Sequence, residues 1–282
     1  MREVCSVLGV SRSHVTTRVR RPADWVDARK APLAADDAQL IDDLVEIVRE
    51  RASYGYRRIW AVLRHQGVQG RRHHVNHKRV YRIMRDRHLL FYRHGSRPVS
   101  HRRHDGKVAV DTSNTRWCSD GFELACDNGE RVRVAFALDC CDREIMSWLA
   151  TTKGVDSTLV ADLMMQAVEY RFGPGQTVTQ PIEWLTDNGS CYTSASTRHF
   201  ARLLGLKPVT TPIVSPQSNG MAESFVKTFK RDYALLNNRP DSQTVMSVLK
   251  QWFEQYNESH PHSALKYLSP RRFRERQQRL NN

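Results

Sequence analysis

"IEWLTDNGSCY", residues 182–192, reads as a short apolar strand that stops at an acid and then turns. Ile182, Trp184 and Leu185 suit a strand covered on both faces, and Asn188-Gly189 supplies the chemistry of a sharp turn. Asp187 stands at the mouth of that strand. A carboxylate there is costly unless a cation meets it, although an ordinary turn aspartate has the same local sequence. The neighbours of Asp187 leave the choice open, so the rest of the chain has to decide it.

Upstream, "RWCSDGFELAC" (116–126) alternates, with Cys118, Asp120, Phe122, Leu124 and Cys126 on one face. "DNGE" (127–130) is a hairpin turn signal, followed by the strands "RVRVAFALDCC" (131–141) and "REIMSWLATT" (143–152). A helix over 156–173 stops at Gly173 and leads to the 182–186 strand. Beyond it lie a helix at 193–205 capped by Thr193 or Ser194, a short strand at 207–213, the loop "SPQSNG" (215–220) and helices at 221–236 and 242–258. Three meander strands followed by strands alternating with helices predict an α/β fold with a mixed five-stranded sheet flanked by helices.

Three carboxylates fall at special places in that order. Asp120 shares a strand face with apolar residues, Asp187 closes the fourth strand, and Glu223 opens the helix after the fifth. Taken singly, each has a plain reading: an edge acid, a turn aspartate, and a solvated Glu223–Lys227 pair at i,i+4. Taken together, they converge at one end of the sheet if the first and fourth strands are neighbours. Three hard oxygen ligands suit Mg²⁺ or Mn²⁺, and two such ions about 4 Å apart serve phosphodiester chemistry. Asp139 and Asp142, at the end of the second strand, are read as structural.

The net charge of +14 is concentrated. Residues 51–106 carry 15 Lys and Arg against Asp86 and Asp105, together with eight of the twelve His. Such a block predicts a nucleic-acid partner. It holds helical periodicity at 54–67 and 76–90, after an amphipathic helix at 36–50 built on Leu40, Ile41, Leu44, Val45 and Val48. Upstream, "REVCSVLGVSRSHVTTRV" (2–19) has a helix-turn-helix pattern, with Val4, Val7 and Leu8 as one apolar face, Gly9 in the turn and Ser11 as a cap. No apolar run is long enough for a membrane span and no signal peptide is evident, so a cytoplasmic, nucleoid-associated protein without a membrane partner is expected. The six Cys show neither CxxC nor zinc-ligand spacing and are read as reduced thiols.

"RWCSDGFE", "WLTDNGSCY" and "SPQSNGMAESFVKTFKRDY" closely resemble the catalytic motifs of the DDE transposase and retroviral integrase superfamily, with 35 residues between Asp187 and Glu223. The helical block at 54–90 and "WFEQYNESHPHSALKYLSPRRFRER" (252–276) are similar to the second-frame (OrfB) product of two-frame bacterial insertion sequences. The resemblance implies an RNase H-like core in which Asp120, Asp187 and Glu223 are both catalytic and metal-binding, with two Mg²⁺ or Mn²⁺ ions as cofactor. It implies strand cleavage and 3′-OH transfer at element ends, on terminal inverted repeats and target DNA. A homo-oligomer on DNA and an upstream-frame (OrfA) product are the implied partners. The alternatives are a non-catalytic DNA-binding regulator and an RNase H-like nuclease that never joins.

The expected organisation is a helix-turn-helix-like segment with connector (1–35), a basic helical DNA-binding domain (36–92), a basic linker (93–106), the catalytic core (107–240) and a C-terminal helical segment (241–282). Expected DNA contacts are Arg57, Arg58, Lys78, Arg79 and Arg82 in the basic block and Gln217, Asn219, Lys227 and Lys230 beside the core site. His262 suits either a contact with DNA or metal-bound water, or a structural turn.

Overall fold

The computed structural model describes residues 2–25, 37–91, 108–211 and 219–281. The basic linker expected at 93–106 and Gln217 lie outside them. The chain divides into two compact units, Met1–Ile41 and Asp42–Asn282. In the first, α1 (Arg2–Val7) and α2 (Arg12–Val19) flank a turn in which Gly9 has φ +61° and the Ser11 side chain accepts from the His14 N–H. Turn and cap are those expected from sequence. The apolar face is not buried: Val4, Val7 and Leu8 are exposed, and only Cys5 is covered. Helices of six and eight residues bring too few side chains together to cover one another.

The chain passes into the second unit along α3 (Ala38–Glu50), followed by α4 (Tyr56–Ala61), one π-helical turn over Val62–Gln66, and α5 (His77–Asp86). Ile59, Leu63, Val80, Ile83 and Met84 form the apolar interior here. Buried Asp43 receives Arg71 at 2.8 Å and His73 at 2.7 Å, which ties α3 to the segment between α4 and α5. Gly67, at φ +78°, lets that segment fold back, because a Cβ there would lie 2.3 Å from the Arg71 carbonyl oxygen.

The core sheet is β1 (Arg116–Ala125), β2 (Arg131–Asp139), β3 (Ile145–Thr151), β4 (Ile182–Thr186) and β5 (Leu206–Thr210), in spatial order β3-β2-β1-β4-β5. The meander pairs are antiparallel; β1–β4 and β4–β5 are parallel. Helices α6 (Ser157–Phe172), α7 (Ser190–Thr193) and α8 (Ala195–Leu203) follow in the β3–β5 region, then α9 (Gly220–Asp232), α10 (Ser242–Ser259) and α11 (Pro270–Asn281). Helices cover both faces of this RNase H-like sheet, as expected from sequence. On one face Trp117, Ala135, Ile182 and Trp184 meet buried residues of α6 and α8. On the other, Cys118, Phe122, Leu124 and Leu185 meet α9 and α10. The buried stripe of α6, Val160, Leu163, Met164, Ala167 and Val168, has the i,i+3,i+4,i+7 spacing of a helix lying on a sheet.

Two features fix these layers. Phe225 and Phe229 of α9 press on Phe136 at 4.5 Å and on Phe122 at 5.4 Å, and Phe253 of α10 stacks on Trp148 at 4.8 Å. Each buried ring contributes roughly 1.5–3 kcal/mol. Beyond the end of β2, Arg171 of α6 meets Asp142 at 3.0 Å and Glu144 at 3.4 Å, while Trp117 donates to Asp139 at 3.1 Å. The carboxylates here are fully buried, and Arg274 of α11 reaches Glu144 at 3.0 Å. This network gives Asp139 and Asp142 the structural place read for them.

All six cysteines are unpaired, and no helix among the described residues is long and apolar enough to cross a membrane. Removing one partner from a buried ionic network leaves uncompensated charge. Arg171→Leu should therefore cost about 3–5 kcal/mol in urea unfolding, whereas Arg131→Leu, at an exposed pair with Glu123, should cost less than about 1 kcal/mol.

Candidate active site

The parallel register of β1 and β4 places the two aspartates. Trp117 faces Trp184 and Cys118 faces Leu185. The same offset carried two residues further sets Asp120 level with Asp187, on strands about 4.8 Å apart. Alternation puts Asp120 on the face of Cys118 and Phe122, and Asp187 on the face of Leu185. That is the face crossed by α9, whose first turn carries Glu223.

Each carboxylate is held by its own surroundings. Oδ1 of half-buried Asp120 accepts from the Gly121 N–H at 2.7 Å. Oδ1 of Asp187 accepts from the Gly189 N–H at 3.0 Å, and a Cβ on residue 189 would stand 3.0 Å from that same oxygen, so glycine leaves the turn its room. Asn188 donates to the Thr211 carbonyl at 2.9 Å and fastens the turn to the chain beyond β5. Exposed Glu223 faces Lys227 at 3.4 Å, a surface pair of small worth.

These local anchors keep the three groups splayed, and among the described residues no three His, Cys, Asp or Glu side chains are gathered closely enough to hold an ion. They still feel one another. Burial pushes the Asp120 carboxyl up to about 6, and the charges of Asp187 and Glu223 add to the rise against the lowering effect of the Gly121 N–H. Neither aspartate has a cationic partner among the described residues.

Ser119 was not legible as a site residue. Its hydroxyl donates to the Tyr192 phenol at 3.2 Å, and its carbonyl accepts from Asn219 at 3.5 Å. One residue beside Asp120 therefore tethers both the short helix after Asp187 and the start of the Glu223 helix. Those partners lie 73 and 100 residues away in sequence, which no local pattern reveals. Asn219, expected to face DNA, is 4% exposed and spends its amide on this tether. Lys227 is exposed, whereas Lys230 is half-buried with its ammonium 5.8 Å from the centre of the Phe122 ring.

Among the other expected DNA contacts, Arg57 and Lys78 are exposed, and Arg79 and Arg82 are half-buried on α5. Arg58 is half-buried and paired with Asp232 at 2.9 Å. His262 points inward: its ring lies 5.2 Å from Tyr256 and 4.9 Å from His260, and burial lowers its pKa to about 3. Its backbone carbonyl accepts from Leu265 and Tyr267, so the structural turn is the reading that survives.

Comparison with known proteins identifies the family. An integrase core domain family matches residues 111–216, a second integrase core domain family matches 204–270, and an HTH-like domain family matches 34–97. The chain is 52% identical over 270 residues, 96% of its length, to the transposase InsD for insertion element IS2A/D/F/H/I/K of Escherichia coli, and spans 89% of that protein. Among solved structures, it is similar to a chain of a simian T-cell lymphotropic virus intasome (15% identity, TM-score 0.48, covering 82% of this chain and 73% of that one). It is also similar to the HTLV-2 integrase catalytic core in complex with magnesium (15% identity, TM-score 0.44, covering 57% and 95%). With an integrase core preceded by an HTH-like domain and the IS2 transposase as a relative over nearly its whole length, the chain belongs to the insertion-element transposases, DDE-type polynucleotidyl transferases.

Proposed function

We propose that the chain cuts DNA at the ends of its element and joins the freed 3′-OH to a second strand, with Asp120, Asp187 and Glu223 as catalytic metal ligands. The observation that carries this reading is their placement at one end of the sheet, on one face, from three separate elements. The donor set fits divalent cations. It is all carboxylate oxygen, and a cation would offset the burial, with the smaller contributions of the Asp187 and Glu223 charges, that raises the Asp120 pKa. When bound, two Mg²⁺ or Mn²⁺ ions would activate the attacking oxygen and stabilise the leaving one.

The chain's own residues supply position. The Gly121 N–H orients Asp120, the Asn188-Gly189 turn aims Asp187, and Ser119 keeps both elements in register with α9. Lys227 and Lys230 lie along α9 where phosphates flanking the cut would pass. In cleavage, water attacks phosphorus, the P–O3′ bond breaks and a 3′-OH is released. In joining, that 3′-OH forms a new P–O bond and displaces the 3′-oxygen of the second strand. No covalent protein intermediate is required.

Residues 36–92 form, on this reading, the module that grips element ends through Arg57, Lys78, Arg79 and Arg82, with 107–240 as the catalytic core and 241–282 as its helical buttress. Gln217 and the linker at 93–106 would join the contact with DNA. A pair of active sites working on two element ends calls for a homo-oligomer on DNA, with an upstream-frame product as a further partner.

Asp187→Asn should lower both cleavage and joining of element-end DNA by at least about a thousand-fold and leave affinity for the same DNA within about two-fold. Full activity in that variant overturns the assignment. A second outcome follows from Asp120. Its folded pKa of about 6 exceeds the ordinary 3.8, so the ionised form opposes folding above about pH 6, and the penalty fades as pH falls toward 4. Without divalent metal, Asp120→Asn should stabilise the chain by about 1 kcal/mol at pH 8, after discounting for partial exposure, and by nothing at pH 4. Thermal melts at the two pH values read this directly.

A further inference from the structure

A cleft of about 660 Å³ lies apart from the three carboxylates, between α4 and the C-terminal end of α9. Its volume is that of a site for a small organic ligand. Arg57, Arg58, Arg231, Tyr56, Tyr267 and Phe91 line it. Six of its nine lining residues carry a guanidinium or an aromatic ring; Ser53, Gly55 and Ser263 complete it.

The charge is only partly balanced. Asp232, whose side chain is fully buried, receives Arg58 at 2.9 Å and Arg231 at 2.6 Å. One carboxylate thus holds two guanidiniums in place. Arg57 has no acidic partner among the described residues; its Nε donates to the Tyr56 hydroxyl at 3.1 Å. Three positive groups against one negative leave the cleft with a surplus of two. Phe91, a large ring that ordinarily seeks cover, is 57% exposed at this site. The hydroxyl of Ser53, also in the lining, is shut off from solvent with no hydrogen-bond partner.

The floor is rigid. Tyr54 and Tyr233 both place their hydroxyls on Nδ1 of buried His260, at 3.0 and 3.2 Å, and Nε2 of His260 lies 3.9 Å from Asp232. Lys266 and Tyr267 both adopt positive φ, +55° and +64°, an uncommon backbone for side chains of this size. The Tyr267 N–H donates to the His262 carbonyl at 2.7 Å and holds this turn.

The cleft connects to the candidate active site along α9. Glu223 stands in its first turn, exposed Lys227 one turn on, and Arg231 in its last turn. Eight residues of helix span about 12 Å, or about three to four nucleotides along a B-form strand. A strand cut at Glu223 and following the basic side of α9 arrives at the cleft.

We infer that this cleft is a second DNA subsite that takes one unpaired nucleotide of the bound strand, its phosphate between Arg57 and Arg231 and its base stacked on Phe91 and the neighbouring tyrosines. Guanidinium on phosphate with aromatic rings on the base face is the general chemistry of single-strand recognition. The inference rests on the reading that Glu223 marks the cut.

The test uses the full chain without divalent metal, so that no cutting intervenes. The probes are a DNA duplex with a four-nucleotide single-stranded extension containing 2-aminopurine, and a fully paired duplex of the same length. The unaltered chain should quench the fluorophore and bind the extended duplex about ten-fold more tightly than the paired one. Phe91→Ala and Arg57→Gln should each lose the quench and bring the preference below about two-fold. Phe91 is exposed, so its replacement leaves the fold intact, and a thermal melt checks this. Equal binding of the two duplexes by the unaltered chain, or a preference retained by both variants, overturns the inference. Asp187→Asn keeps the two readings apart. Quenching by an inactive Asp187→Asn chain supports the cleft and the triad together; quenching by an active one supports the cleft while the triad fails.

Discussion

The parallel pairing of β1 with β4 is the contact on which the site depends. It sets two carboxylates level on adjacent strands, where burial first and the neighbouring charges second raise the pKa of Asp120. Nothing in the local sequence of either strand requires that neighbourhood. It arises because the meander β1–β2–β3 leaves one edge of β1 open and the crossover through α6 returns β4 to it. Glu223 joins by a different route. The aromatic contacts of Phe225 and Phe229 with Phe136 and Phe122 hold α9 across the same face, and Asn219 fixes where the helix begins.

The fold separates apolar adhesion from charge. Large rings supply the adhesion, while the buried ionic groups at Arg171 and at Asp232 are paired with opposite charge. The candidate active site is the exception. There Asp120 is half-buried without a cationic partner among the described residues, and its pKa is raised. A carboxylate with a raised pKa beside two further carboxylates is the physical ground for the proposed metal site.

Much of this was legible in sequence because its signals are local. The alternation at 116–126, the Asn188-Gly189 turn, the Gly173 stop and the Ser11 cap all read correctly from neighbours within a few residues. The resemblance supplied the grouping of Asp120, Asp187 and Glu223, which periodicity could only make plausible. What escaped is non-local. Ser119 with Tyr192 and Asn219, Arg58 with Asp232, and the aromatic cleft all join residues many tens of positions apart. Composition misled in two places. Val4, Val7 and Leu8 have a helical apolar spacing without the bulk to bury it, and Asn219 looks like a surface polar residue but is enclosed beside β1.

The two basic regions have different physical characters. Lys78, Arg79 and Arg82 lie on a helix whose opposite face is buried, which suits the proposed contact with phosphates. Along α9, Lys227, Lys230 and Arg231 are set relative to Glu223 by helix geometry alone, so the proposed contacts would fix a strand's register with respect to the proposed cut. The measurement that tests this account most directly is anomalous X-ray scattering from crystals of the chain soaked in Mn²⁺. The account predicts anomalous peaks within coordination distance of Asp120, Asp187 and Glu223, the three side chains turning inward from the donors that now hold them. Manganese bound elsewhere, with these carboxylates still on the Gly121 and Gly189 N–H groups and on Lys227, would contradict it.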